Sequence, residues 1–236
     1  TASNNTAVGM NSLAANTTAA SNTAVGYSAL GANTTGTRNH AIGHGALLVS
    51  TTGNYNSAVG YYSLGANTTA SFNSAFGDTT LYSNTTGASN TALGYNALYT
   101  NTTASNNTAV GYHALFANTT GASNVAVGVN ALTLNTTGTS NVAMGTAALD
   151  ANTTGNYLTG IGSNALGGNT TGANSTAVGY HALVANTTAN NNTALGYYSM
   201  NANTTGTNNV AVGSNAMALN TTASNNTVLG AYAFDA

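Results

Sequence analysis

The chain repeats one 17-residue unit along its whole length without insertion or deletion. Its clearest marker is a glycine that returns every 17 residues from Gly9 to Gly230. The unit reads Asn-Thr-Ala-Val-Gly-Tyr-x-Ala-Leu-x-Ala-Asn-Thr-Thr-Gly-x-x, and its positions are numbered from the first Asn, so that Asn5 is position 1. A strict period of this kind predicts stacked repeats that bury their apolar sides against one another.

The length of the unit decides between helical and β repeats. Seventeen residues are too few for two helices and two turns, since helical repeats use about 33 residues or more. Gly, Asn and Thr, which recur in each unit, are also poor in helix interiors. The sequence therefore predicts an all-β fold, a parallel β-solenoid (β-roll) with one 17-residue coil per repeat and about 14 coils. Residues 1–236 are expected to form a single continuous array, a window of a longer fibre.

Two columns of the repeat are always large and apolar. They are position 4, as in Val8 and Ile42, and position 9, as in Leu13 and Leu47. Both are predicted to face the core, from one strand at positions 2–4 and a second at positions 8–11, with position 11 also inward. The Ala column at position 3 would then lie outside as a smooth stripe against which another chain can pack. Gly at position 5 predicts a bend with positive φ or a close backbone approach, and Gly or Ala at position 15 indicates limited space.

Composition excludes several classes of function. Only Arg38, Asp78, Asp150 and Asp235 carry a formal charge. A nucleic-acid partner needs many cations to neutralise phosphates, so none is expected. No apolar run approaches the roughly 18 residues of a membrane helix, so no membrane insertion is expected in this segment. The absence of Cys excludes a disulfide framework.

The sequence lacks the sets of residues that usually carry out catalysis. The only candidate acid–base or metal-binding residues are His40, His44, His113 and His181, which occupy variable repeat positions. His113 and His181 lie four coils apart, about 19 Å at the usual strand spacing, which is too far for a shared metal. No carboxylate pair, nucleophile–base set or phosphate-binding loop is present. We therefore expect no enzyme activity, no catalytic or metal site and no cofactor.

Asn-Thr-Thr at positions 12–14 is the most regular element, with Ser50 as the one exception at position 12. Stacked Asn side chains form amide ladders, which is one interpretation. The other is an edge carrying N- or O-linked glycans, because each Asn-Thr-Thr is a formal N-glycosylation acceptor. The glycosylation candidates are Asn16, Asn33, Asn67, Asn84, Asn101, Asn118, Asn135, Asn152, Asn169, Asn186, Asn203 and Asn220. Further acceptors are Asn4, Asn106, Asn174, Asn191 and Asn225.

Aromatic and Thr columns offer two further surfaces. Tyr recurs at position 6. This recurrence predicts either a residue at the rim whose hydroxyl faces solvent, or a surface that contacts carbohydrate by stacking. These surface-contact candidates are Tyr27, Tyr61, Tyr95, Tyr112, Tyr180 and Tyr197. Regular Thr arrays also suggest ice binding, although His40 and Val125 interrupt the column at position 2 and adjacent Thr residues on a strand face opposite sides.

The Thr-Ala-Val-Gly-Tyr and Ala-Ile-Gly copies resemble the head repeats of trimeric autotransporter adhesins and the repeats of phage tail-fibre-type proteins. The resemblance implies a left-handed parallel β-roll and three chains packed side by side. The general preference of parallel crossovers for a right-handed path points to the opposite hand. The unit here is also longer than the usual adhesin repeat, and Asn-Thr-Thr is not part of the family core.

These features predict an extracellular structural fibre or stalk at a cell or virion surface. It would self-associate as a trimer or as an end-to-end filament, and glycans on the Asn-Thr-Thr edge would make it a glycoprotein. Two alternatives stay open: a surface adhesin that binds host or glycan ligands, and an ice-binding solenoid.

Overall fold

The structure is a computed structural model that describes residues 2–234 and comprises two compact units, Thr1–Thr120 and Gly121–Ala236. Each strand covers positions 2–4 of its repeat, and the described residues contain no helix. The strands of unit 1 are β1 (Thr6–Val8), β2 (Thr23–Val25), β3 (His40–Ile42), β4 (Ser57–Val59), β5 (Ser74–Phe76), β6 (Thr91–Leu93) and β7 (Thr108–Val110). Those of unit 2 are β8 (Val125–Val127), β9 (Val142–Met144), β10 (Thr159–Ile161), β11 (Thr176–Val178), β12 (Thr193–Leu195), β13 (Val210–Val212) and β14 (Thr227–Leu229).

Within each unit, every strand pairs in parallel with the next strand along the chain. The register joins residues 17 apart, so that Ala24 lies beside Ala41 in unit 1 and Ala177 beside Ala194 in unit 2. Hydrogen bonds outside the strands follow the same period, as in the 2.8 Å bond from Thr51 N to Thr68 O. Each unit is a parallel β-solenoid with one repeat per coil, which confirms the predicted fold class.

The strands face the opposite way from the sequence-based prediction. Ala at position 3 is buried, and Ala92 in β6 is 0% exposed. Its neighbour Leu93 at position 4 is 50% exposed. The assignment of position 4 to the core and of Ala to an outer stripe is therefore wrong. Both arrangements satisfy the two-residue alternation of a strand, so the pattern alone could not choose between them.

The core is filled from the side opposite the strands. Leu at position 9 is fully buried, as in Leu98, Leu115 and Leu149, which confirms the prediction for that column. A β-carbon added at Gly160, the position-3 residue of β10, would lie 3.2 Å from Leu149 Cγ. Position 3 thus points directly at the Leu column. Since the Leu side chains already occupy the narrow interior, the strand side has room only for Ala.

The predicted second strand at positions 8–11 is absent. These residues form turns, and the Leu, Met or Phe at position 9 has positive φ in every coil, for example 54° at Leu98. Position 11 is not inward either, since Leu134 is 52% exposed. This segment still bonds to the next coil, with Leu98 N donating to Ala114 O at 3.0 Å. Left-handed backbone at a large apolar residue is uncommon, which is why the sequence suggested a strand instead.

The Gly column at position 5 confirms the predicted bend and close approach. Gly94 has φ of +126°, and a β-carbon there would lie 2.7 Å from Gly111 O in the next coil. At position 15 no Gly has positive φ, yet the residue is buried in nearly every coil. Limited space, and not backbone conformation, restricts that position to Gly or Ala, as the sequence indicated.

Candidate interaction surfaces

The outer face of the strands is called here the strand stripe, and it consists of an apolar row at position 4 beside a mostly hydroxyl-bearing row at position 2. Phe76 is 42% exposed and Leu93 is 50% exposed on this face. Position 2 carries Thr, Ser, Val or His, and no Lys, Arg, Asp or Glu lies at either position. The position-4 members are Val8, Val25, Ile42, Val59, Phe76, Leu93 and Val110 in unit 1, and Val127, Met144, Ile161, Val178, Leu195, Val212 and Leu229 in unit 2.

The strand stripe exposes a continuous row of large apolar side chains along each unit. At about 4.8 Å per coil, seven coils extend about 33 Å. Positions 2–4 span about 10 Å at 3.3 Å per residue, so the stripe of each unit covers about 330 Å². Soluble monomers rarely leave contiguous apolar patches of more than a few hundred Å² exposed, and larger ones mark interaction sites. The stripe is therefore the first candidate interaction surface.

Beside the stripe lies an aromatic ridge, formed by the aromatic residues at positions 6, 7 and 10. Tyr95 and Tyr112 stack with ring centroids 5.8 Å apart, and Tyr180 and Tyr197 stack at 5.6 Å. Tyr27 and His44 stack at 5.0 Å, and the ring of Tyr61 lies 5.3 Å from the same His44. The predicted Tyr candidates thus pack on their neighbours in adjacent coils, which occupies ring faces that a sugar would need for stacking.

A second stack runs along position 10 of unit 1. Tyr82, Tyr99 and Phe116 lie with successive ring centroids 5.3 and 5.4 Å apart and planes tilted by 10°. His113 joins it, 4.7 Å from Phe116 and 3.9 Å from Tyr112. In unit 2, His181 lies 4.2 Å from Tyr180. Sequence analysis did not identify position 10, because its aromatic residues occur in only a few coils.

The Asn column at position 12 forms a buried amide ladder. Asn101 Nδ2 donates to Asn84 Oδ1 at 2.9 Å and to Ala104 O at 3.0 Å. In unit 2, Asn186 Nδ2 donates to Asn169 Oδ1 at 2.9 Å in the same way. These side chains are buried in every coil except the first, where Asn16 is half-buried. The ladder interpretation of the Asn-Thr-Thr element therefore describes the folded chain.

The ladder bears directly on the twelve glycosylation candidates. An N-glycan attaches at the same Nδ2 atom that donates two hydrogen bonds in each buried ladder residue. A sugar at Nδ2 would break these two hydrogen bonds and would not fit in the buried space around the side chain. The folded coil consequently does not accommodate glycans at Asn33, Asn67 and their ladder equivalents. By contrast, the further acceptors Asn4, Asn106, Asn174, Asn191 and Asn225 lie at position 17 and are exposed.

Position 1 carries a second buried Asn ladder that sequence analysis missed. Asn73 Oδ1 accepts from Asn90 N at 2.9 Å, and Asn73 Nδ2 donates to Gly87 O at 2.9 Å. The side chain thus bridges two coils through backbone groups. The signal was available in the sequence, because position 1 is Asn in all copies from Asn5 to Asn226 except Leu158 and Ser175.

The two adjacent Thr columns behave differently. At position 13 the hydroxyl donates to the next coil, as in Thr85 Oγ1 to Thr102 O at 3.0 Å. At position 14 every Thr is exposed, and none of these hydroxyls takes part in a hydrogen bond within the described residues. This threonine column comprises Thr18, Thr35, Thr52, Thr69, Thr86, Thr103 and Thr120 in unit 1, and Thr137, Thr154, Thr171, Thr188, Thr205 and Thr222 in unit 2.

Between residues 2 and 234, no group of three or more His, Asp or Glu side chains is placed to hold a metal ion, and no enclosed pocket is found. No helix in this range is long and apolar enough to cross a membrane. The strand stripe, the aromatic ridge and the threonine column are accordingly the surfaces on which a function can be argued.

Comparisons with known proteins leave the family open. No protein-family model matches the chain, and neither a curated protein nor a solved structure shows significant similarity to it. The resemblance to adhesin heads and tail fibres stays a prediction from the Ala-Val-Gly motif.

Proposed function

We propose that this chain is a segment of an extracellular structural fibre or stalk, at a cell or virion surface, whose coils pack side by side with other copies of the same chain. The observation that carries the proposal is the strand stripe. The row of Val, Ile, Leu, Phe or Met at position 4, one in every coil, gains little from contact with water. A second copy supplies the same periodic face, and therefore the same contact at each coil.

The size of the stripe supports self-association. Stable protein interfaces bury about 800 Å² on each partner. The stripe of each unit covers about 330 Å², so the two units offer about 660 Å² between them, which approaches this area. The stripe contains no formally charged side chain, so its burial leaves no carboxylate, guanidinium or ammonium group desolvated. A trimer, as the adhesin-head resemblance implies, places three such stripes around one axis.

The remaining parts of the proposal follow from the polar columns. Hydrogen-bonded ladders hold each coil to the next, which suits a fibre that must transmit tension along its length. If the chain carries N-glycans, the five exposed acceptors at position 17 are their sites, and the ladder residues are not. Carbohydrate binding by the Tyr column is less favoured, because the Tyr rings stack on their neighbours.

Cysteine cross-linking tests where copies touch, since the natural chain has no Cys. We expect Leu93→Cys, on the stripe, to form covalent dimers with a short bifunctional maleimide. Ser89→Cys is the matched control, because Ser89 is exposed four residues earlier but lies off the stripe. Equal cross-linking of the two variants, or none with Leu93→Cys, would contradict association through this face.

A further inference from the structure

The threonine column keeps the same residue in every copy, although it lies at an exposed position where other residues would also fit the fold. Position 17 is also exposed in the same coils, and it holds Asn, Ser, Tyr, Phe and Arg38. Position 6 varies among Met, Tyr, His, Asp, Val, Thr, Ser and Ala. The copies have therefore diverged at exposed positions. Position 14 nevertheless remains Thr in every copy, although it faces solvent in all thirteen described copies.

Hydrogen bonding within the fold explains position 13 but not position 14. The Thr85 hydroxyl holds the next coil through Thr102 O, so its loss would remove an inter-coil hydrogen bond. The Thr86 hydroxyl beside it makes no such bond, and its side chain is exposed. Ser, which also has a hydroxyl, occurs at positions 1, 2, 6, 7, 8, 11, 12, 16 and 17 but never at position 14. Position 14 therefore keeps a side chain that is both β-branched and hydroxyl-bearing, and repeats it along the surface.

We infer that the threonine column binds a lattice of ordered water, that is, the surface of an ice crystal. In water, hydrogen-bonded oxygens lie about 2.75 Å apart, so two oxygens that share a tetrahedral neighbour lie about 4.5 Å apart. Stacked coils place equivalent residues about 4.8 Å apart. Successive Thr hydroxyls in the column thus approach the spacing of second-neighbour water oxygens.

Three properties of Thr suit this role. Its hydroxyl both donates and accepts, as each water oxygen of ice does. Its branched Cβ restricts χ1, so the row is ordered before it meets the crystal. Its methyl group fills the space between hydroxyls without competing for hydrogen bonds. No charged side chain occupies positions 13–15, so no ion imposes its own hydration shell on the row.

The spacing also predicts the size of the matching patch. A difference of about 0.3 Å per coil accumulates to about 1 Å over three or four coils. Binding is therefore expected from runs of a few adjacent Thr residues, of which each unit offers several. This column lies outside positions 2–6, so ice binding does not depend on whether copies associate through the strand stripe.

Thermal hysteresis and partitioning of the full-length chain into growing ice test the inference. We expect the natural chain to produce a gap between freezing and melting temperatures and to be enriched in the ice fraction. The variant Thr86→Tyr/Thr103→Tyr should lose part of both signals, and extending the change to all column residues of unit 1 should lose more. The matched control is Ser89→Tyr/Asn106→Tyr at position 17, where Tyr55 and Tyr157 occur naturally. This control should keep both signals.

Circular dichroism establishes that each variant is folded, and Thr86→Ser/Thr103→Ser replaces the Tyr pair if that pair unfolds. The inference is overturned if the natural chain shows neither hysteresis nor enrichment in ice, or if position-14 and position-17 variants behave alike. Sugar found on the column hydroxyls by intact mass would also overturn it, as would binding of the column to crystalline cellulose in place of ice. Light scattering on the same samples reports self-association separately, so failure of one proposal is distinguishable from failure of the other.

Discussion

Asn33 Oδ1 is buried without a hydrogen-bond donor because Ser50 stands one coil further along, where the ladder otherwise carries Asn. Elsewhere the Asn of each coil donates to the Asn before it, as Asn84 Nδ2 does to Asn67 Oδ1 at 3.1 Å. Ser50 is too short to reach Asn33 and offers only a 3.5 Å contact to Asn67 Nδ2. A single substitution thus marks a defect in an otherwise continuous row.

Ser50→Asn should repair the ladder and stabilise unit 1. The new side chain can donate to Asn33 Oδ1 and Gly53 O and accept from Asn67 Nδ2. A net hydrogen bond contributes about 1 kcal/mol, so we expect the free energy of unfolding to rise by about 1–2 kcal/mol. Urea denaturation followed by circular dichroism measures the change. Ser50→Ala is the control and should give no gain; destabilisation by Ser50→Asn would contradict the ladder.

Ala92 and Leu93 provide a direct test of which strand face is buried. Ala92→Asp places an unpaired carboxylate in the core, where Ala92 is fully buried, and should cost several kcal/mol. Leu93→Asp places the same group on the outer face and should leave the monomer folded. Thermal melting of both variants distinguishes them. The reverse order of stability would restore the sequence-based orientation.

Sequence analysis predicted the elements that depend on period and residue type. The 17-residue coil, the Leu column at position 9 and the tight Gly at position 5 all follow from such local signals. The choice of which strand face is buried did not follow from them, because Thr-Ala-Val alternates equally well with either face inward. Only the volume left beside Leu149 decides that Ala points inward. The left-handed Leu turns could not be recognised, since bulky residues rarely adopt positive φ. The ridge and the threonine column required knowledge of which residues are exposed.

Gly94→Ala should destabilise unit 1 for two reasons. Ala disfavours φ of +126°, and its β-carbon would lie 2.7 Å from Gly111 O in the next coil. Strain of this kind costs about 1–3 kcal/mol before the steric clash is added. Gly65→Ala is the matched control, since Gly65 lacks positive φ and its repeat position holds Tyr82 and Phe116 elsewhere. Equal melting temperatures for the two variants would show that position 5 does not need Gly.

Asp150 should make stability depend on pH. Partial burial raises the pKa of this carboxyl above its usual range, against opposing hydrogen bonds from backbone groups of Asp150 and Ala151. Between the unfolded and the raised folded pKa, the folded chain binds more protons, so stability should fall as pH rises through this window. Below the unfolded pKa the carboxyl is protonated in both states and the penalty disappears. In Asp150→Asn this part of the pH dependence should vanish in melting curves recorded from acid to neutral pH. If it persisted unchanged, another group would be its source.

The mass of the native chain in solution tests the central claim, that copies associate through the strand stripe. The bare chain has a mass of 23.1 kDa. Light scattering should give two or more times this mass for the natural chain, and the mass of one copy for a folded variant carrying Phe76→Asp, Leu93→Asp and Ile161→Asp. A natural chain that remains a monomer at high concentration, or a triple variant that keeps the natural oligomeric mass, would contradict the account.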